Sequence, residues 1–177
     1  MLNLVQGMPQ WVGWVYGAIT AVAAFTDYRS GKIYNWLTIP ALVLGLVLAG
    51  AFGWVALGAA LQGLGLASLL FIPLFFLRIL GGGDVKLMLA MGTVLGFQGT
   101  LELTLACFTV AGAGSLGLLF VHRRVILFFK ELFKFLRSIF VPGLELQWPA
   151  LNREVKAPFG IAIFIGFLYV FAKGSLP

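Results

Sequence analysis

The chain is poor in the groups that most enzymes use. Its 177 residues hold one Cys, one His and two Asp, and charged residues make up 10% of the total. With Cys107 alone, no disulfide within the chain is possible and no Cys cluster can hold zinc or an iron–sulfur centre. His122 stands beside Arg123 and Arg124 at the end of an apolar run, which reads as an interfacial residue of a basic cluster. A Ser-His pair or a His-rich metal site is excluded with it, so neither metal nor cofactor is expected. The shortage of charge, against 61% hydrophobic residues and a mean hydropathy of +1.04, excludes a soluble domain, which needs more polar surface to face water.

What is present is long apolar runs. Val55 to Leu77 and Leu101 to Val121 each match the roughly 20 helical residues that cross a hydrocarbon core of about 30 Å. The polar backbone of such runs must bond internally, so they are helices. The pattern predicts an all-α polytopic membrane protein forming one domain over 1–177. Six spans are expected, at about Gln10–Phe25, Trp36–Phe52, Val55–Leu77, Val85–Phe97, Leu101–Val121 and Pro158–Ala172. Residues 1–10 carry no Lys or Arg, so the first span lacks the n-region of a cleavable signal peptide. The turns at 49–54 and 97–100 are minimal, and no loop is long enough to build a second core.

Basic residues set the orientation. With the N-terminus outside, Arg29, Lys32, Arg78, Lys86, Arg123, Arg124, Lys130, Lys134, Arg137, Arg153 and Lys156 all face the cytoplasm, and only Lys173 lies outside. The net charge of +6 then reports topology and contact with anionic lipids rather than nucleic-acid binding. Arg123, Lys130, Lys134 and Arg137 share one helical stripe, with Phe128, Leu132, Phe135, Leu136 and Ile139 around the rest. An amphipathic helix on the inner surface is expected near 122–140, a plain continuation of the fifth span being the alternative. The pairs Gly13 with Gly17 and Gly92 with Gly96 have the spacing of close helix packing in lipid.

Both aspartates fall at span ends on the same predicted side: Asp27 closes the first span and Asp84 opens the fourth. An ionised carboxylate costs about 2.5–3.5 kcal/mol at the centre of a membrane helix and less near its ends, so its retention needs a reason. The two are 57 residues apart (84 minus 27), yet three intervening spans return the chain to the same level. If the first and fourth helices pack side by side, the carboxyls meet across a small wet gap. Two such groups share a proton, one serving as base and the other as acid, which suits peptide hydrolysis. The simpler alternative is juxtamembrane ion pairing with Arg29, Lys32 and Lys86. Gly81-Gly82-Gly83 directly before Asp84 tells against it, since a backbone without Cβ can lie against an extended substrate. Lys86, two residues on, would point away from Asp84 on a helix.

Gly81-Gly82-Gly83-Asp84-Val85-Lys86 resembles the G-x-G-D-x-K signature of prepilin peptidases, the membrane aspartyl proteases that process type IV pilin-like precursors. Asp27 to Asn35 looks like that family's D-x-x-x-x-x-I-P-N segment, with Tyr34 in place of proline, and Ala157-Pro158-Phe159-Gly160 resembles its P-F-G element. The resemblance implies catalytic roles for Asp27 and Asp84, and places Gly81, Gly83, Lys86, Asn35, Pro158, Phe159 and Gly160 around them. Asn35 also suits the N-cap of the second helix, and Pro158, Phe159 and Gly160 suit a bend in the sixth. The C-x-x-C pairs of the forms that also N-methylate their product are missing, so the resemblance is to the short Flp/Tad-type and archaellin-processing forms, with protease activity alone. It implies a plasma-membrane enzyme that cuts pilin-like precursors at the cytoplasmic boundary, after a leader ending in Gly. Two other readings exist. A transporter or channel subunit would use the acids for cations or protons but leaves the glycine run unexplained. A presenilin-like intramembrane protease shares G-x-G-D but would place a Tyr-Asp pair within a helix, where this chain has Asp27-Tyr28 at a span end.

Overall fold

The computed structural model describes residues 8–121 and 159–175, all helical apart from short connections. The helical runs among the described residues are, in order, α1 Gln10–Ser30, α2 Asn35–Ala51, α3 Trp54–Phe76, α4 Gly82–Val121, which is kinked at Gly96, and α5 Phe159–Ser175. The chain divides into two compact units, Met1–Ala111 with Pro158–Pro177, and Gly112–Ala157. Of the second unit the described part is 112–121, the end of α4, and the expected amphipathic helix at 122–140 lies outside the described residues. The first unit holds α1, α2, α3, α4 as far as Ala111, and α5.

Its interior mixes large side chains such as Tyr16, Phe71 and Phe167 with many small ones, and its surface carries large apolar residues. Ala23, Ala41, Ala49, Ala56, Ala60 and Ala67 are buried, while Trp14, Trp36, Trp54, Val55, Leu69 and Phe76 are exposed. Small residues inside let helices approach, and large apolar ones outside face a solvent that does not penalise them. α3 and α4 meet backbone to backbone: a Cβ added at Gly63 would lie 2.8 Å from Gly96 Cα, and one at Gly92 would lie 2.7 Å from Gly63 O. α1 packs on α5, with Gly17 under the Phe167 ring and Trp14 edge-on to Phe171 at 4.9 Å. α2 lies on α3 and more lightly on α1, where the buried Tyr16 hydroxyl donates to the Ala41 carbonyl.

The helices depart from the expected spans at two places. α1 continues past Phe25 to Ser30, so Asp27 sits inside its last turn instead of closing it. The stop comes at Gly31, whose φ of 62° is the left-handed conformation of a helix C-terminus and whose N–H reaches Asp27 O. The expected fourth and fifth spans are two helices within the run Gly82–Val121, and they join at Gly96 (φ 65°, ψ −168°) instead of at 97–100. Residues 97–100, expected as an open turn, are helical, because a single glycine at positive φ suffices to redirect the axis. By length and apolarity, Trp54–Phe76 and Gly82–Ser115 qualify as membrane spans, and Asn35–Ala51 and Phe159–Lys173 are shorter apolar helices.

α3 ends in a Schellman motif. Arg78 N–H bonds Phe75 O and Ile79 N–H bonds Leu74 O, both at 2.9 Å, with Arg78 in the left-handed region at φ 58°. The chain then turns through Gly81 into α4.

Candidate active site

Asp84 lies in the first turn of α4, where a carboxylate suits the exposed N–H groups of a helix start. Its Oδ2 accepts the Gly81 N–H at 3.1 Å, the backward half of a capping box, and Val85 N–H bonds Gly81 O. A Cβ at Gly81 would stand 2.9 Å from that Oδ2. The middle glycine, Gly82, faces the Phe75 ring. Gly83 has the tightest setting: a Cβ there would be 2.6 Å from Ile33 O and 2.8 Å from Ile33 Cβ. The glycine run therefore lets the start of α4 press against the α1–α2 connection.

Asp27 is buried, with 8% of its surface exposed. Its Oδ2 accepts the Gly160 N–H at 2.8 Å, from a residue 133 positions later in the first turn of α5. Among the described residues Asp27 has this hydrogen bond and no ion pair with Arg29 or Lys32, both exposed. Phe159, the first residue of α5, is set against Phe108 of α4 (ring centroids 6.2 Å apart), and Phe108 stacks on Phe71 of α3 at 6.0 Å. Three helices thus fix the end of α5 that reaches Asp27. Pro158 lies outside the described residues.

Asn35 does not cap α2. Tyr34 occupies the N-cap position without a side-chain bond, and Asn35 is the first helical residue. Its Oδ1 instead accepts Lys86 Nζ at 2.8 Å, across 51 residues. The lysine expected to point away from Asp84 does have a separate partner, and that partner ties α4 to the start of α2.

These contacts gather the site residues at one end of the unit. The Ile33–Gly83 contact and the Asn35–Lys86 bond fasten the start of α4 to the loop that leaves α1 just after Asp27, and Gly160 fastens the start of α5 to Asp27 itself. Sequence reasoning missed Gly31 as the stop of α1 and Ile33 as the surface that Gly83 fits. A glycine just past an apolar run was the available signal for the first. Nothing local marks the second.

Comparison with known proteins bears on the family. The model of the type IV leader peptidase family matches residues 14–122, a stretch that contains both aspartates. An 85-residue segment is 36% identical to prepilin peptidase EppA of Methanothermobacter thermautotrophicus, covering 45% of this chain and 22% of that protein. The chain therefore matches less than a quarter of that relative's length. No solved structure matches.

Proposed function

Since this chain belongs to the type IV leader peptidase family, we propose that it is an aspartyl endopeptidase that removes the short cytoplasmic leader of pilin-like precursors. The observation that carries the reading is the family match over a stretch containing Asp27 and Asp84, the chain's two aspartates, each held by a backbone N–H. In the reaction one carboxylate takes a proton from water as the water oxygen attacks the scissile carbonyl carbon. The other, protonated, hydrogen-bonds to the carbonyl oxygen and supplies the proton that leaves with the amine as the C–N bond breaks. Neither step requires a metal. Gly81 keeps the space beside the Asp84 carboxylate free of a side chain, Gly83 lets the start of α4 close on Ile33, and the Lys86–Asn35 bond holds the α1–α2 connection beside it.

The protein is proposed to cross the plasma membrane six times with its N-terminus outside, the break at Gly96 serving as an outer turn. The aspartates then lie at the cytoplasmic boundary, among the basic residues that contact anionic lipid. A substrate is a membrane helix whose leader stays in the cytoplasm and ends in Gly, cut between that Gly and the apolar segment. The Gly fits the chemistry, because a side chain at that position would stand between the carboxyls and obstruct the attacking water. Activity is proteolytic only, without N-methylation.

Incubating the purified protein with pilin-like precursors and weighing the products by mass spectrometry tests this. The expected cut follows the leader's terminal Gly, and a Gly→Val precursor is cleaved at least about a hundredfold more slowly. A cut deep in the apolar segment, or equal rates for the two precursors, defeats the proposal.

A further inference from the structure

We propose that Gly160 is a positioning residue for Asp27, its backbone N–H and its missing side chain together fixing the carboxylate from the first turn of α5. The inference rests on the reading of Asp27 as a catalytic acid.

The N–H of Gly160 belongs to the first turn of a helix, whose amides have no partner within the helix. Here the donor is satisfied by Asp27 Oδ2 at 2.8 Å in a buried bond. One oxygen of the carboxylate is thereby anchored, which sets the plane of the group and leaves the other oxygen to act on water. The space is equally specific. A Cβ at position 160 would lie 2.9 Å from Asp27 Cβ, 2.9 Å from Oδ2 and 3.3 Å from Cγ. Rotation of the side chain can move Oδ2 and Cγ aside, but Asp27 Cβ is fixed by the backbone of α1. A methyl group at 160 would therefore force the end of α5 away from Asp27 and stretch the hydrogen bond. The two helices cannot shift freely to absorb it, because Gly17 under Phe167 and Trp14 against Phe171 lock them further along.

The same geometry could serve only to cap α5, in which case position 160 would matter for folding and leave turnover intact. Gly166 supplies the matched control. It is buried in the same helix, and a Cβ there would meet Cys107 Sγ at 3.0 Å and Cys107 N at 3.3 Å, well along α5 from Asp27. The experiment measures kcat, KM and Tm for wild type, Gly160→Ala and Gly166→Ala on one cleavable precursor in proteoliposomes. Positioning predicts that Gly160→Ala lowers kcat by about a hundredfold with KM within about twofold, the size of effect that misplacing a catalytic group produces. Gly166→Ala lowers Tm and keeps kcat. A Gly160→Ala enzyme with wild-type kcat, or equal kcat losses at both positions, overturns the inference. A substrate-free arm covers the case of a poorly folding variant. Asp27→Gly removes the atoms that the new methyl would meet, so adding Gly160→Ala to Asp27→Gly should cost much less Tm than adding it to wild type. Equal cost in both backgrounds also overturns the inference. If wild type cleaves no precursor, the functional reading fails while this arm still decides the contact.

Discussion

The two aspartates are supported in opposite ways. Asp84 is held locally: the N–H that its carboxylate accepts is three residues upstream, in the turn that starts its own helix. Asp27 is held at long range, by an N–H 133 residues away on a helix packed against its own. A local support forms whenever the helix forms. A long-range support exists only when the bundle is complete, so the geometry of Asp27 reports tertiary structure and that of Asp84 reports a turn.

The strongest challenge to this contrast is to remove each acid. Asp27→Asn and Asp84→Asn should each lower kcat by about a thousandfold or more, and the double variant should be no worse than either, because residues acting as one unit are grossly non-additive. Cleavage by either single variant at near wild-type rate would break the pairing. Glycine substitutions come next. Gly83→Ala should destabilise by about 1–3 kcal/mol, since the new methyl meets Ile33 backbone that cannot swing away. Gly81→Ala meets only the movable end of Asp84, so its thermal stability should stay near wild type while kcat falls about tenfold. Equal Tm losses at 81 and 83 would show that the local support is stiffer than argued.

Smaller effects lie further out. Asn35→Ala and Lys86→Met should each cost about 0.5–1.5 kcal/mol, and a double-mutant cycle should show that the two losses overlap. At the far end of α5, the half-exposed Lys173 lies 3.3 Å from Glu102. Lys173→Met should cost less than about 1 kcal/mol, diminish further at high salt, and leave cleavage unchanged.

The same contrast explains what could be read from sequence. The setting of Asp84 was legible because Gly81-Gly82-Gly83-Asp84 writes its turn in consecutive residues, and the all-helical fold was legible in the apolar runs. The partner of Asp27 was not, because nothing near residue 27 names residue 160. The P-F-G element suggested a bend, but its glycine carries a hydrogen bond and a clearance. Asn35 looked like a cap because its residue type prefers that position, and a lysine on another helix outcompeted the local N–H. The helix break was expected at 97–100, where Gln98, Gly99 and Thr100 mimic a turn, yet Gly96 alone takes the positive φ. The spacing of Gly92 and Gly96 points to packing, and Gly96 both lies against Gly63 and bends the chain.

The order of synthesis gives the Asp27–Gly160 bond a further consequence. A ribosome delivers α1 well before α5, so Asp27 is made long before its donor exists. Nascent chains that reach past residue 84 but not residue 160 carry both aspartates without the Gly160 N–H that Asp27 accepts. On the proposed reading of Asp27 as a catalytic acid, the arrival of α5 is the step that completes the site, and a chain stopped before residue 160 is expected to be inactive.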